Sequence, residues 1–173
     1  MFKKAPFFLF ALFLLGAFQT NAQTSPKYGH MNLGNLLELL PDTKKANDEL
    51  KLFTDQLSAK DDSMARSLQA AAEMLQKEYD AGNLTPVQAQ QRQAELQKQQ
   101  EVLQKFEQEA NQLVAAKREA LLTPILTKVN DAIKAVATEN GYAMIFDTSS
   151  GTMLFASESE DVSALVKKKL GLQ

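Results

Sequence analysis

Between Asp42 and Ala81 the apolar residues Leu50, Phe53, Leu57, Met64, Leu68, Leu75 and Tyr79 recur at helical spacing. Steps of three, four and seven place them on one face of a single long helix. Phe53, Met64 and Leu75 stand eleven apart, as do Leu57, Leu68 and Tyr79, and Leu103, Val114, Ile125 and Val136 repeat the step farther on. An eleven-residue period predicts helices packed nearly straight or with a slight right-handed twist. Neither 42–81 nor 87–123 contains Gly or Pro, and Gly82-Asn83-Leu84-Thr85-Pro86 separates them. Gly82 suits the left-handed end of one helix, Thr85 and Gln88 form a capping box for the next, and Pro86 fits its first turn. Helices joined this closely run antiparallel. With the turn centred at Asn83 and Leu84, facing residue numbers add to about 167. That register sets Met64 against Leu103, Leu57 against Ala110, Phe53 against Val114 and Ala46 against Leu121.

Toward the tip the apolar face thins to Ala70, Ala71 and Ala72 on one arm. The other arm carries ten glutamines from Gln88 to Gln112, with Ala94 and Leu96 among its few apolar residues. Arms of this kind bury little surface per residue and flex along their length. Outside the hairpin (42–123), residues 23–41 and 124–173 read as a small body. Its expected strands are 28–32, 142–147 and 152–156, flanked by short helices at 33–40 and 161–170. Pro124 is expected to kink the second long helix where it enters this body. Asn140-Gly141 then ends that helix, and Lys167, Lys168 and Lys169 suit the last turn of the final one. The fold class is therefore mainly α: a coiled-coil-like antiparallel hairpin projecting from a small strand-built body. Three short strands and two small helices bury too little to stand alone and leave reactive edges, so oligomerisation through the strands is expected.

The ends and the charge narrow the function. Lys3 and Lys4 precede the apolar run from Ala5 to Phe18, and Gln19-Thr20-Asn21-Ala22 follows, the layout of a secretory signal over 1–22 cleaved near Ala22. At 14 residues the apolar run is too short to span a bilayer, so no membrane anchor is expected in the mature chain. Of 19 basic residues, Lys3 and Lys4 lie in the signal, so 17 face all 21 acidic ones beyond Ala22 and the mature charge is −4. That disfavours nucleic acid and anionic membranes as partners. There is no Cys, which removes disulfides, thiol chemistry and a lipid-modified N-terminal Cys.

Catalytic signals are weak. His30 is the lone histidine and has no His or Cys companion for a metal site or a triad. No glycine cluster cradles a phosphate, Asp61-Asp62 reads as a solvated helix face, and Asp147 fits a turn better than catalysis. No enzyme activity, cofactor or metal is expected.

The opening strand Tyr28-Gly29-His30-Met31-Asn32, the segment Leu36 to Lys45 and the run Leu121-Leu122-Thr123-Pro124-Ile125-Leu126 point to one family. So do Ala132-Ile133 through Glu139-Asn140-Gly141-Tyr142 and the strand ending at Asp147. Together they resemble the Skp/OmpH family, periplasmic holdase chaperones for outer-membrane proteins, across essentially the whole mature chain. The resemblance implies a trimer whose strands build a shared body and whose arms surround a cavity for unfolded outer-membrane or other exported proteins. By it, Phe53, Leu57, Met64, Leu68, Leu75, Leu96, Leu103 and Phe106 contact clients, and Ile145, Phe146, Leu154 and Phe155 belong to the oligomer body. For each of these residues taken singly, a purely structural role within the hairpin or body is the favoured expectation. The chain departs from the family in charge: its distal stretch 60–95 holds Lys60, Arg66, Lys77 and Arg92 against Asp61, Asp62, Glu73, Glu78, Asp80 and Glu95. A lipopolysaccharide site therefore has no support in the sequence. The competing expectation is a structural coiled-coil adaptor of the cell envelope that grips one folded partner. An adaptor favours a strict apolar seam with charged flanks, whereas this seam is interrupted by Lys60, Asp61 and Ser67.

Overall fold

The computed structural model describes residues 25–172. The signal sequence expected over 1–22 lies outside the described residues. Strand β1 (Lys27–Met31) leads through Asn32 into the short helix α1 (Leu33–Leu39). The Asn32 side chain accepts from the Asn35 N–H at 2.9 Å, the usual cap for the first turn. Leu40 is extended, as a residue before proline must be, and Pro41 opens the long helix α2 (Pro41–Asp80). At 40 residues this helix is about 60 Å long.

The tip is built as its residues dictate. Gly82 has φ 69°, its N–H donates to the Tyr79 carbonyl at 3.0 Å, and the Asn83 N–H donates to the Glu78 carbonyl at 3.0 Å. That is a complete Schellman ending. Helix α3 (Pro86–Asn140) starts on Thr85, whose hydroxyl accepts from the Gln88 N–H while the Gln88 side chain accepts from the Thr85 N–H. The helix continues through Pro124 to Gly141, which ends it at φ 70°.

Cross-arm contacts fix the register. The ammonium of Lys60 lies 4.6 Å from the Phe106 ring centre, and Lys117 pairs with Glu49 at 2.5 Å. Lys128 pairs with Asp42 at 2.8 Å, and Arg92 pairs with Glu78. These pairs bracket the expected sum of about 167 along the whole hairpin.

Strand β2 (Tyr142–Asp147) pairs with β1 in parallel, Gly29 opposite Ile145 and Met31 opposite Asp147. The two strands are joined by the entire hairpin. On β1's other edge His30 bridges Asp161, and the Val162 N–H donates to the His30 carbonyl at 2.9 Å. A single 3₁₀ turn (Glu158–Glu160) and the helix α4 (Ser163–Lys169) complete the body. The core sits entirely here: Met31, Leu36, Leu40 and Ala46 meet Ile125, Val129, Ala132 and Val136, closed by Val162 and Val166. Between residues 47 and 124 no residue is fully buried.

The strand expected at 152–156 is not formed in the single chain. Gly151, at φ 69°, turns the backbone after Asp147. Both edges of β1 are already taken, by β2 and by Asp161–Val162. Only the outer edge of β2 remains open, and 152–156 is not paired to it.

Candidate functional site

The hairpin seam comes first. Phe53, Leu57, Met64, Leu68, Leu75, Leu96, Leu103 and Phe106 are each half-buried. The structure brings them together as the strip along which the two helices touch, so much of each side chain is spent on the partner helix. The more accessible apolar side chains on the arms are Tyr79, which is on the repeat near the tip, and Leu52, Met74, Val87, Val102 and Leu113, which are not. Periodicity passed over these last five because they fall off the repeat. The signal that finds them is that departure: a large apolar residue off the seam has no helix to cover it.

The second surface is on the body. Alternation along a strand sends successive side chains to opposite faces. Gly29, Met31 and Ile145 accordingly face the core, whereas Tyr28, Met144 and Phe146 are exposed on the outer face. The Tyr28 and Phe146 rings lie 6.3 Å apart there. Of the residues expected in an oligomer body, Ile145 thus packs on its own chain's core and Phe146 points away from it. Leu154 and Phe155 stand in the loop after Gly151, 98 % and 86 % exposed. Two adjacent large apolar side chains with so little cover are unusual on a finished surface.

The polar candidates hold structure together. His30 Nε2 lies 2.8 Å from the Ser157 carbonyl oxygen and so ties the Leu154–Phe155 loop to β1. Asp161 lies beside it; burial pushes its carboxyl up, but the Ser163 hydroxyl and N–H, with His30 and Lys167, outweigh that and hold it below the usual range. Asp147 is at the junction of β2, α1 and the following turn. Its Oδ1 accepts from the Leu33 N–H at 3.1 Å and the Ser149 N–H at 2.9 Å, and its Oδ2 from the Ser149 hydroxyl at 2.7 Å. Partial burial again works against ionisation, and these three donors win, so its carboxyl titrates below its ordinary value.

A folded-state value below the unfolded one means stability that is present above about pH 4 and lost as pH falls through the folded value. Asp147→Ala is therefore expected to cost about 1 kcal/mol at neutral pH, the usual worth of a capping carboxylate. The deficit relative to wild type should shrink in acid as the Asp147 carboxyl of wild type protonates. Urea unfolding at neutral and strongly acidic pH measures both; an undiminished deficit in acid would assign Asp147 another role.

Among the described residues no cluster of His, Cys, Asp and Glu is placed to hold a metal, and no helix is long and apolar enough to cross a membrane. The comparisons with known proteins agree with this architecture. The model of the OmpH-like outer membrane protein family matches residues 27–170. The chain is 24% identical over 159 residues to the chaperone protein Skp of Pectobacterium atrosepticum, covering 91% of this chain and 93% of that protein. Its fold is similar to the crystal structure of an OmpH-like outer membrane chaperone from Caulobacter crescentus, with a TM-score of 0.71. That match has 18% identity and covers 84% of this chain and 83% of the other. With the family model spanning both the body and the whole hairpin, the chain belongs to the OmpH-like outer membrane protein family.

Proposed function

We propose that this protein is an exported, nucleotide-independent holdase that keeps unfolded outer-membrane proteins from aggregating in the periplasm. It works as a homotrimer whose arms surround the client. One observation carries the reading: the two arms, about 60 Å long, are built from helices that nowhere bury a residue fully between 47 and 124. A seam this open leaves apolar surface accessible along its length and lets the arms adapt, as a binder of many unfolded chains requires. Rigid pockets and catalytic constellations are unnecessary for such work. Family membership and the similarity to a protein named as a chaperone support the same role. Lys3, Lys4 and the apolar run after them support export.

Trimerisation is supported by the exposed Tyr28, Met144, Phe146, Leu154 and Phe155 on a body with a two-stranded sheet. A sheet this small, open at the outer edge of β2, gains most from strands of another copy. The acidic mature chain relies on apolar and amide contacts for grip, and the surrounding arms supply confinement.

The test is light scattering of a urea-denatured outer-membrane β-barrel protein diluted into buffer with and without the mature protein. One trimer per client is expected to suppress aggregation without ATP. Failure with several such clients, together with tight binding to one folded envelope protein, would replace this reading with that of an adaptor.

A further inference from the structure

The hairpin has two unlike broad faces. Each residue advances about 100° around a helix. Measured from the seam at Leu57, Leu52 and Met74 lie about 100–140° to one side of α2. Measured from the seam at Ala110, Val102 and Leu113 lie about 60–80°, and Val87 about 140°, in the same rotational sense on α3. Because the helices are antiparallel, equal senses fall on the same side of the pair. These five exposed apolar side chains therefore share one broad face; Tyr79, also exposed, lies about 40° from the seam in the other sense.

The contacts between the arms agree. Lys60 over Phe106 and Lys117 with Glu49 both bridge on this side. The opposite side has its own groove, lined by Thr54, Ser58, Asp61, Asp62, Glu107 and Asn111. A second groove on that side, near the tip, is lined by Gln76, Gln90 and Gln93 but also by the apolar Ala72, Tyr79 and Ala89. Glu73 and Asp80 join it by the same rotation, so apart from the patch at Tyr79 that side is rich in carboxylates and amides.

On the apolar face the carboxylates of Glu49, Glu78 and Glu109 are each matched to a cation. Lys77 and Lys98 stand against the single Glu95, so the uncommitted charge there leans positive.

Spacing identifies the occupant. With facing numbers adding to about 167, Val102 lies about 20 Å, Met74 about 33 Å and Val87 about 42 Å up the arm from Leu52 and Leu113. A helix of a second copy packing here would need apolar contacts roughly every 5 Å, one per turn. An extended chain rises about 3.3 Å per residue and presents alternate side chains to one face. Anchors about 10–20 Å apart meet such a chain every three to six residues, at positions where apolar side chains can be turned inward.

We propose that an unfolded client lies extended along the face bearing Leu52, Met74, Val87, Val102 and Leu113, while the carboxylate- and amide-rich face stays in water. This assignment rests on the holdase reading. It moves the grip from the seam residues, which hold the helices together, to side chains that leave the seam intact.

Met74 and Val102 are 59 % and 58 % exposed, so charging them spares the fold. The test compares full mature wild type with Met74→Glu/Val102→Glu and with Gln76→Glu/Gln104→Glu, which adds the same charge to the opposite face. Binding of a fluorophore-labelled, urea-denatured outer-membrane β-barrel protein is expected to weaken about tenfold for the first pair and less than about twofold for the second. Equal weakening by the two pairs overturns the face assignment while leaving the holdase reading intact. No binding by wild type overturns the holdase reading and the assignment with it. A photo-crosslinker at position 102 should capture the client and one at position 104 should not. Capture of a second copy of the chain at position 102 overturns the assignment. Should the Met74→Glu/Val102→Glu chain lose helicity, the crosslinking comparison decides alone.

Discussion

Replacing Gly29 with valine is expected to destabilise the chain by about 3 kcal/mol or more, the upper range for overpacking a tight site. Gly29 is buried on the core side of β1. A Cβ there would lie 2.8 Å from Cγ1 of Val162 and 3.1 Å from the Tyr142 ring. Neither neighbour can retreat cheaply. Val162 is fully buried, and its N–H is bonded to the His30 carbonyl at 2.9 Å. Moving it would pull the chain off the edge of β1. Tyr142 packs against the core with the Lys27 ammonium 4.0 Å above its ring. The added Cγ atoms of valine make the conflict worse. Domains of this size have only about 5–15 kcal/mol in total. The hairpin cannot outlast the body, because its core ends at Ala46 and Ile125. A single transition, lowered by about 10 °C, is therefore expected in thermal melts followed by circular dichroism. A melting temperature within about 2 °C of wild type would mean that β1 and Val162 are not packed this closely.

How far the sequence revealed the molecule depends on which interactions were local. The tip was fully legible, because Gly82, Thr85, Pro86 and Gln88 each act within a few residues of their own position. The register followed from it, since an antiparallel pair with a known turn has only one alignment that matches apolar to apolar. The body was legible in part. Its strands at 28–32 and 142–147 could be placed from β-rich composition, but their parallel pairing spans 116 positions from Met31 to Asp147 and leaves no local mark. The strand expected at 152–156 looked as apolar as β2, yet within one chain it does not pair with the one open edge, that of β2. Gly29 drew no attention because its importance is a close approach by Val162, which no pattern near Gly29 encodes. The client-contact face proposed above differs from the one expected from periodicity, for a physical reason. Periodicity selects residues that two helices share, and shared residues are partly covered. The side chains left for a third party are those that interrupt the repeat, such as Leu52 and Val102.

The paired substitution Leu154→Asp/Phe155→Asp is expected to convert the proposed trimer to monomers and abolish holdase activity. In the single chain both side chains lie almost wholly in water, and their replacement should leave the chain's own fold, helicity and core untouched. In the proposed trimer their value lies in assembly. Elsewhere on the body the open outer edge of β2 offers unpaired backbone, and Tyr28, Met144 and Phe146 offer an apolar face. Burying a leucine and a phenylalanine side chain contributes about 1.5–3 kcal/mol each. Losing about 4–5 kcal/mol at every subunit contact weakens association about a thousandfold or more. Two carboxylates at the same place add their desolvation cost to that loss. Isolated arms would still present the face of Met74 and Val102, but three separate hairpins cannot enclose a client, and the gain from tethered sites disappears. Mass photometry or sedimentation at micromolar concentration gives the subunit number, and the light-scattering assay gives the activity. Trimeric mass with Leu154→Asp/Phe155→Asp would sink the shared-body arrangement. Monomers that still suppress aggregation as wild type does would show that enclosure is not how the arms protect a client.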